Sequence, residues 1–193
     1  QQNSAVLDFR EVAPNKAHEK MYQGPDGRVL PGLSRVGVQA IAVPAEGIGL
    51  AHLVKTKGEL SLKRVAGPAI ALAEKGFPVG AHLAKALENT KYQSVLDFFQ
   101  KDGRPVQRFE YFRNRPLAKT LRRWASTNGR SLQSGKDAEQ IVEKVASDGG
   151  ILTLDDLVNY QPVGRKPIVS KYKGYTLITM PPPSSGGVVL GQV

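Results

Sequence analysis

No cysteine occurs among the 193 residues. Disulfides, thiolate nucleophiles and cysteine-ligated metals are therefore excluded. Histidine is nearly as scarce: His18, His52 and His82 lie far apart and no pair has metal-ligand spacing, so neither a metal nor another cofactor is expected. No apolar run approaches the roughly 18 residues of a membrane helix, so no membrane span is expected. The start, Gln1-Gln2-Asn3-Ser4, has no charged leader, no cleavage pattern and no initiating Met, and reads as a chain excised from something longer. Acids are also in deficit, with 17 Asp and Glu against 27 Lys and Arg and a net charge of +10.

What is present suffices for a core: 40% of residues are hydrophobic and 23% charged, as in ordinary globular proteins, and the length fits one domain. The basic surplus is concentrated, because Arg104, Arg108, Arg113, Arg115, Lys119, Arg122 and Arg123 face only Glu110 within that stretch. Such a patch could neutralise phosphates. A solvated, Arg-rich helix face and its approach loop is the better reading, since no RNA-binding signature or helix-turn-helix spacing is present, so no nucleic-acid partner is expected.

Hydrophobic periodicity gives the order of elements. Ala5 to Phe9 reads as a strand, and the Gly, Pro and Asp of residues 22–37 as loop. Residues 38–43 look strand-like until Pro44, with partly helical spacing after it. Ser61 is placed to cap a helix whose apolar stripe is Leu62, Val65, Ala69, Leu72 and Ala73, with Gly76 as its stop; Pro68 inside it predicts a kink or a break into two. Ala81 to Glu88 adds a short helix, and residues 101–115 read as irregular. Pro116 suits the first turn of a helix burying Leu117, Leu121, Trp124 and Ala125, stopped at Asn128-Gly129. Ala138, Ile141, Val142 and Val145 line another, ended by Gly149-Gly150. Thr153 and Asp156 have capping-box spacing, so the Asp155-Asp156 pair reads as helix-start acids rather than as catalytic carboxylates. "PIVSKYKGYTLITM" reads as a hairpin turning at Lys173-Gly174. The whole is an α+β pattern whose sheet is incomplete at both ends.

Templates for catalysis fail. "GLSRVG" at residues 32–37 has one residue too many for a serine-hydrolase elbow, and "GIGLAH" at 47–52 puts His where a dinucleotide fingerprint needs its third glycine. No complete catalytic set is therefore visible from the residues themselves. One local feature stands out: "LDFRE" sets Arg10 directly after a strand, where a fixed guanidinium could hold a carboxylate by two hydrogen bonds. An ion pair with Asp8, Glu11 or another neighbour would explain it as well.

"LDFREVAP" at 7–14, "MYQGPDGRVLPGLS" at 21–34, "PAIALAEKGF" at 68–77 and, above all, the long stretch "DGGILTLDDLVNYQPVGRKPIVSKYKGYTLITMPPPSSGG" at 148–187 resemble the large subunit of the γ-glutamyltranspeptidases. The resemblance spans nearly the whole chain, with residues 78–115 matched only loosely. It implies an N-terminal nucleophile (Ntn) hydrolase fold, an αββα sandwich of which this chain forms an incomplete part of a single domain. It further implies a precursor that cleaves itself, and a small-subunit partner whose new N-terminal Thr attacks the γ-glutamyl amide of glutathione and similar substrates. A related acylase or γ-polyglutamate depolymerase is the alternative within the fold, and a non-catalytic anion-binding module the alternative outside it.

Carried over residue by residue, the resemblance makes Arg10 the ligand of the substrate α-carboxylate, with Glu11 in support. The nucleophile and oxyanion donors are implied to lie downstream, so these residues alone are expected to be inactive. Ser184 and Ser185 are not the family's substrate-gripping serines, which belong to its small subunit; they are expected to cap a helix that Gly186-Gly187 lets start tightly, with ligand contact a lesser alternative. Two departures are evident: Pro44-Ala45-Glu46 stands where Pro-Gly is usual, and Leu132-Gln133-Ser134 where Phe-Tyr precedes Gly. A periplasmic or secreted location is implied by the family.

Overall fold

The computed structural model describes residues 4–192. In chain order its elements are β1 (Val6–Asp8), α1 (Glu46–Lys57), α2 (Leu62–Lys75), β2 (Phe77–Pro78), α3 (Ala81–Asn89), α4 (Gln93–Phe98), β3 (Gln100–Lys101), β4 (Arg104–Pro105), β5 (Tyr111–Phe112), α5 (Arg115–Ser126), α6 (Lys136–Ser147), α7 (Leu154–Asn159), β6 (Val163–Arg165), β7 (Ile168–Tyr172), β8 (Tyr175–Thr179) and α8 (Gly186–Gln192). They fall into two compact units: residues 1–59 with 129–193, and residues 60–128.

In the first unit, β1 pairs antiparallel with β6, in the register Val6↔Arg165, Leu7↔Gly164 and Asp8↔Val163. The core below is Val43, Ala45, Ile48, Ala138, Val145, Leu152, Leu157 and Tyr160, so the apolar side of α6 packs as its spacing requires. The strand expected over 38–43 is instead a single 3-10 turn at Val38–Ala40 followed by a bridge from Val43 to Val12. The partner segment offers a single bridge there, at Val12, so only Val43 takes up strand pairing. The hairpin β7–β8 forms as read, with Lys173 at φ 46° and Gly174 at φ 83° in the left-handed turn that suits two twisted strands. Thr153 accepts from the Asp156 N–H at 3.3 Å, while Asp156 accepts from the Thr153 N–H at 2.8 Å, closing the capping box of α7.

In the second unit, α2 runs unbroken through Pro68, capped by Ser61. Of the expected stripe Leu62 and Ala73 are buried, with Ala66 beside them, while Val65 and Leu72 stay exposed. Both sets satisfy the helical period; the small alanines win because α2 packs along α5. α5 starts on the Asn114 side chain, which accepts from the Leu117 N–H at 3.0 Å, and buries Ala118, Trp124 and Ala125, leaving Leu117 exposed. A second cluster gathers Val79, Ala84, Leu87, Val106 and Phe112. The stretch expected to be irregular takes part in two-residue strand pairs, β3 with β4 and β5 with the earlier β2.

The Arg-rich stretch is tied into this unit. Glu110 accepts two bonds from Arg104, at 2.7 and 2.8 Å, with Lys101 at 3.8 Å. The Arg104 bonds first, then the Gln107 N–H, draw the Glu110 carboxyl down to about 2. Arg113 donates to the Lys75 carbonyl at 2.9 Å, Arg122 pairs with Glu74, and Arg108 lies 4.5 Å over the Phe109 ring. These guanidinium groups are spent on internal partners rather than arrayed for a phosphate backbone.

Candidate functional site

Where β1 ends, the Asp8 carboxylate is used on both oxygens. Oδ1 accepts from the Arg10 N–H at 3.0 Å and Oδ2 from Arg165 Nε at 2.6 Å, a reach set by the β1–β6 pairing. These bonds, the Arg10 N–H first, hold the Asp8 carboxyl below the usual carboxylate range. Arg165 thus neutralises Asp8, and the Arg10 guanidinium is left over. Its side chain is 58% exposed, and the carboxylate within 4 Å of it among the described residues is Glu11, at 3.9 Å. An exposed pair at that distance contributes little. Of the two ion pairs the sequence allowed, the one with Asp8 does not form and the one with Glu11 is loose.

The backbone after Asp8 is irregular yet pinned at each step. Tyr160 Oη donates to the Arg10 carbonyl at 2.9 Å, the Val43 N–H to the Val12 carbonyl at 2.8 Å, and the Asn15 N–H to Asp156 Oδ1 at 2.8 Å. Phe9 is fixed from the other side by α1: a Cβ at Gly49 would collide with the Phe9 ring. "GIGLAH" is thus a packing device. Gly49→Ala is expected to destabilise the protein by about 1–3 kcal/mol through overpacking, read from the denaturation midpoint, and Phe9→Leu should recover part of the loss.

Beside Arg10 lies a cavity of about 240 Å³ lined by Leu7, Asp8, Arg10, Arg165, Met180 and Ser184, among others. The Met180–Gly187 turn therefore closes over the end of β1. Gly187 is required there, since a Cβ would strike the Met180 carbonyl, whereas Gly186 has space around it. Ser184 is half-buried and borders the cavity, and Ser185 is exposed. The bond at the start of α8 is a backbone one, from the Val189 N–H to the Ser185 carbonyl at 3.0 Å, rather than the hydroxyl cap expected. Structure thus gathers Arg10, Glu11 and Ser184 in one neighbourhood and leaves Ser185 at its margin.

The family model of the gamma-glutamyltranspeptidases matches residues 1–193. This chain belongs to that family. The glutathione hydrolase proenzyme of Bacillus subtilis (strain 168) is 35% identical over 99% of this chain, which corresponds to 33% of that protein. The solved γ-glutamyltranspeptidase of Helicobacter pylori has a TM-score of 0.91 and 38% identity, over 96% of this chain and 55% of that one. An acylase proenzyme, Acylase ACY 1 of Pseudomonas sp. (strain SE83), is 31% identical over 97% of this chain and 36% of its own length. The chain thus spans about a third of the length of the curated relatives it matches. Its fold is α+β of the Ntn-hydrolase kind, and the two curated relatives above are enzymes named as proenzymes. No helix among the described residues is long and apolar enough to cross a membrane.

Both departures from the family pattern find a structural account. Ala45 begins α1 at negative φ and is buried in the core, so no glycine is needed, and Glu46 suits the positive end of the helix. Gln133 donates from Nε2 to the carbonyls of Leu157 and Tyr160, at 3.2 and 2.9 Å, tying down the end of α7. Asp8, Arg165, Tyr160 and Gln133 were not singled out as functional from the sequence. The available signal was that Tyr160 and Arg165 fall inside the most specific matching stretch, with Asp8 adjoining Arg10.

Proposed function

We propose that this chain supplies the donor-gripping part of a γ-glutamyltransferase or glutathione hydrolase. In this reading a small subunit brings the N-terminal Thr. Its hydroxyl attacks the γ-carbonyl of glutathione or another γ-glutamyl amide, passing its proton through the Thr α-amino group to the leaving amine. The resulting γ-glutamyl ester is then opened by water or by the amine of an amino acid, which regenerates the Thr hydroxyl. The carrying observation is the Arg10 guanidinium, held on a pinned backbone, relieved of Asp8 by Arg165, and exposed beside a small cavity. Such a fork matches an α-carboxylate in geometry and charge. Ser184, which also lines that cavity, is positioned to border the bound group, and Glu11, loosely paired with Arg10, has at most a supporting part.

The partner reading is supported by β7, β8 and α8, where Val169, Tyr172, Tyr175, Ile178, Val189 and Leu190 are exposed. A two-stranded hairpin with apolar residues left open is marginal alone, and apolar surface of this kind marks an interaction face. We take the chain as part of one Ntn-hydrolase domain completed by the small subunit, in a periplasmic or secreted protein. An acylase acting on another amide is the second reading, favoured by the Pseudomonas acylase relative. Mass spectrometry with N-terminal sequencing of the complete purified protein tests the scheme. A second polypeptide beginning with Thr, which gains a γ-glutamyl adduct from the donor, is expected; an uncleaved chain without an adduct would sink it.

A further inference from the structure

The Arg10 backbone is held at both of its polar groups, once by the last residue of β1 and once from 150 positions away. Its N–H donates to Asp8 Oδ1 at 3.0 Å, and its carbonyl accepts from Tyr160 Oη at 2.9 Å. Tyr160 is buried in the first unit's core, 6% exposed, so its ring cannot shift without disturbing Ile48, Leu157 and their neighbours. Burial first, then the charges of Asp8 and Glu11, raises the phenol above its ordinary range, so the hydroxyl remains a donor. Gln133 in turn fixes Tyr160 by donating to its carbonyl at 2.9 Å. Gln133 thus holds the Tyr160 backbone while the Tyr160 phenol holds the Arg10 carbonyl, with Asp8 and Arg165 bracing the opposite side.

We propose that Tyr160 and Asp8 are positioning residues for Arg10, anchored by Gln133 and Arg165 respectively, and that this clamp sets the affinity for the donor's α-carboxylate. The inference rests on the reading of Arg10 given above. A flexible arginine must lose side-chain and backbone freedom each time it grips a carboxylate; a backbone already fixed on both sides has less to lose. The clamp acts on binding, since Arg10 holds the end of the γ-glutamyl group remote from the bond that breaks.

The test uses the complete, assembled protein and two donors, a γ-glutamyl amide and its γ-aminobutyryl counterpart, which lacks only the α-carboxylate. Tyr160→Phe keeps the ring and removes the hydroxyl. It is expected to raise KM for the γ-glutamyl donor about 2- to 10-fold, the effect of one lost hydrogen bond, with kcat retained and the γ-aminobutyryl donor unaffected. Gln133→Leu, which leaves the phenol in place, should shift KM in the same direction by less. In an Arg10→Ala background, Tyr160→Phe should add nothing further. Equal effects of Tyr160→Phe on both donors, or a fall in kcat alone, would overturn the clamp while leaving the Arg10 reading intact, provided Arg10→Ala itself discriminates between the donors. Failure of Arg10→Ala to discriminate would remove that reading and the clamp together.

Discussion

Arg10→Ala in the assembled protein is expected to lower kcat/KM for a γ-glutamyl donor by about 10- to 150-fold, mostly through KM. That range is the about 1.5–3 kcal/mol of hydrogen bonding to a charged group, at tenfold per roughly 1.4 kcal/mol. The loss should not reach the level of a missing nucleophile, because the guanidinium meets the carboxylate end of the donor and not the scissile amide. Arg10→Lys should fall between, since an ammonium keeps the charge but cannot offer two parallel N–H groups. Stability should barely change in either variant: the side chain is 58% exposed and its nearest carboxylate, Glu11, is 3.9 Å away. Steady-state kinetics beside a melting curve separates the two effects. A variant that melts normally but turns over donor at the wild-type KM contradicts the assignment.

Asp156 carries the second large effect, on stability instead of turnover. Its Oδ2 accepts from the Thr153 N–H and hydroxyl, at 2.8 and 2.7 Å, while Oδ1 accepts from the Asn15 N–H at 2.8 Å. The side chain belongs to a residue only 5% exposed. Removing it takes the acceptor from the Thr153 and Asn15 N–H groups, uncaps α7, and frees the segment that follows Arg10. Asp156→Ala is expected to cost about 2–4 kcal/mol, combining the lost cap with lost bonds to a charged acceptor. Asp156→Asn should cost less, because its carbonyl oxygen can still accept.

Acid should mimic the substitution. Burial works to raise the Asp156 carboxyl, but the bonds from Thr153 and Asn15 outweigh it and hold the group below its ordinary 3.8. Its stabilising contribution is therefore complete above that value and is lost as pH falls further, through the lowered folded-state pKa. Urea denaturation at neutral and at acidic pH checks both statements: the gap between wild type and Asp156→Ala should narrow as the solution is acidified through that window.

How far the sequence reaches depends on how local the cause is. The capping box of α7, the Ser61 cap and the Lys173-Gly174 turn were legible because each is decided within a few residues. Arg10 was legible as a candidate by its place after a strand and by resemblance. What frees its guanidinium was not: Arg165 meets Asp8 across 157 positions, and Tyr160 meets Arg10 across 150. Only the folded β1–β6 register and the α7 core create those contacts. The α2 stripe went astray in part, for a related reason. Leu62 and Ala73 are buried as read, but Val65 and Leu72 fit the helical period as well as Ala66 does, and only the approach of α5 selects between them. In residues 100–112 the strands are two residues long, too short for any alternation to register.

The central claim is that the Arg10 guanidinium receives the α-carboxylate of a γ-glutamyl group. Its most direct test is the ratio of kcat/KM for a γ-glutamyl donor to that for its γ-aminobutyryl counterpart, measured for the assembled protein and for Arg10→Ala side by side. The account predicts a strong preference for the carboxylate-bearing donor in the unaltered protein and a ratio near one in the variant. A preference that survives loss of Arg10 would contradict it and assign the carboxylate to another group.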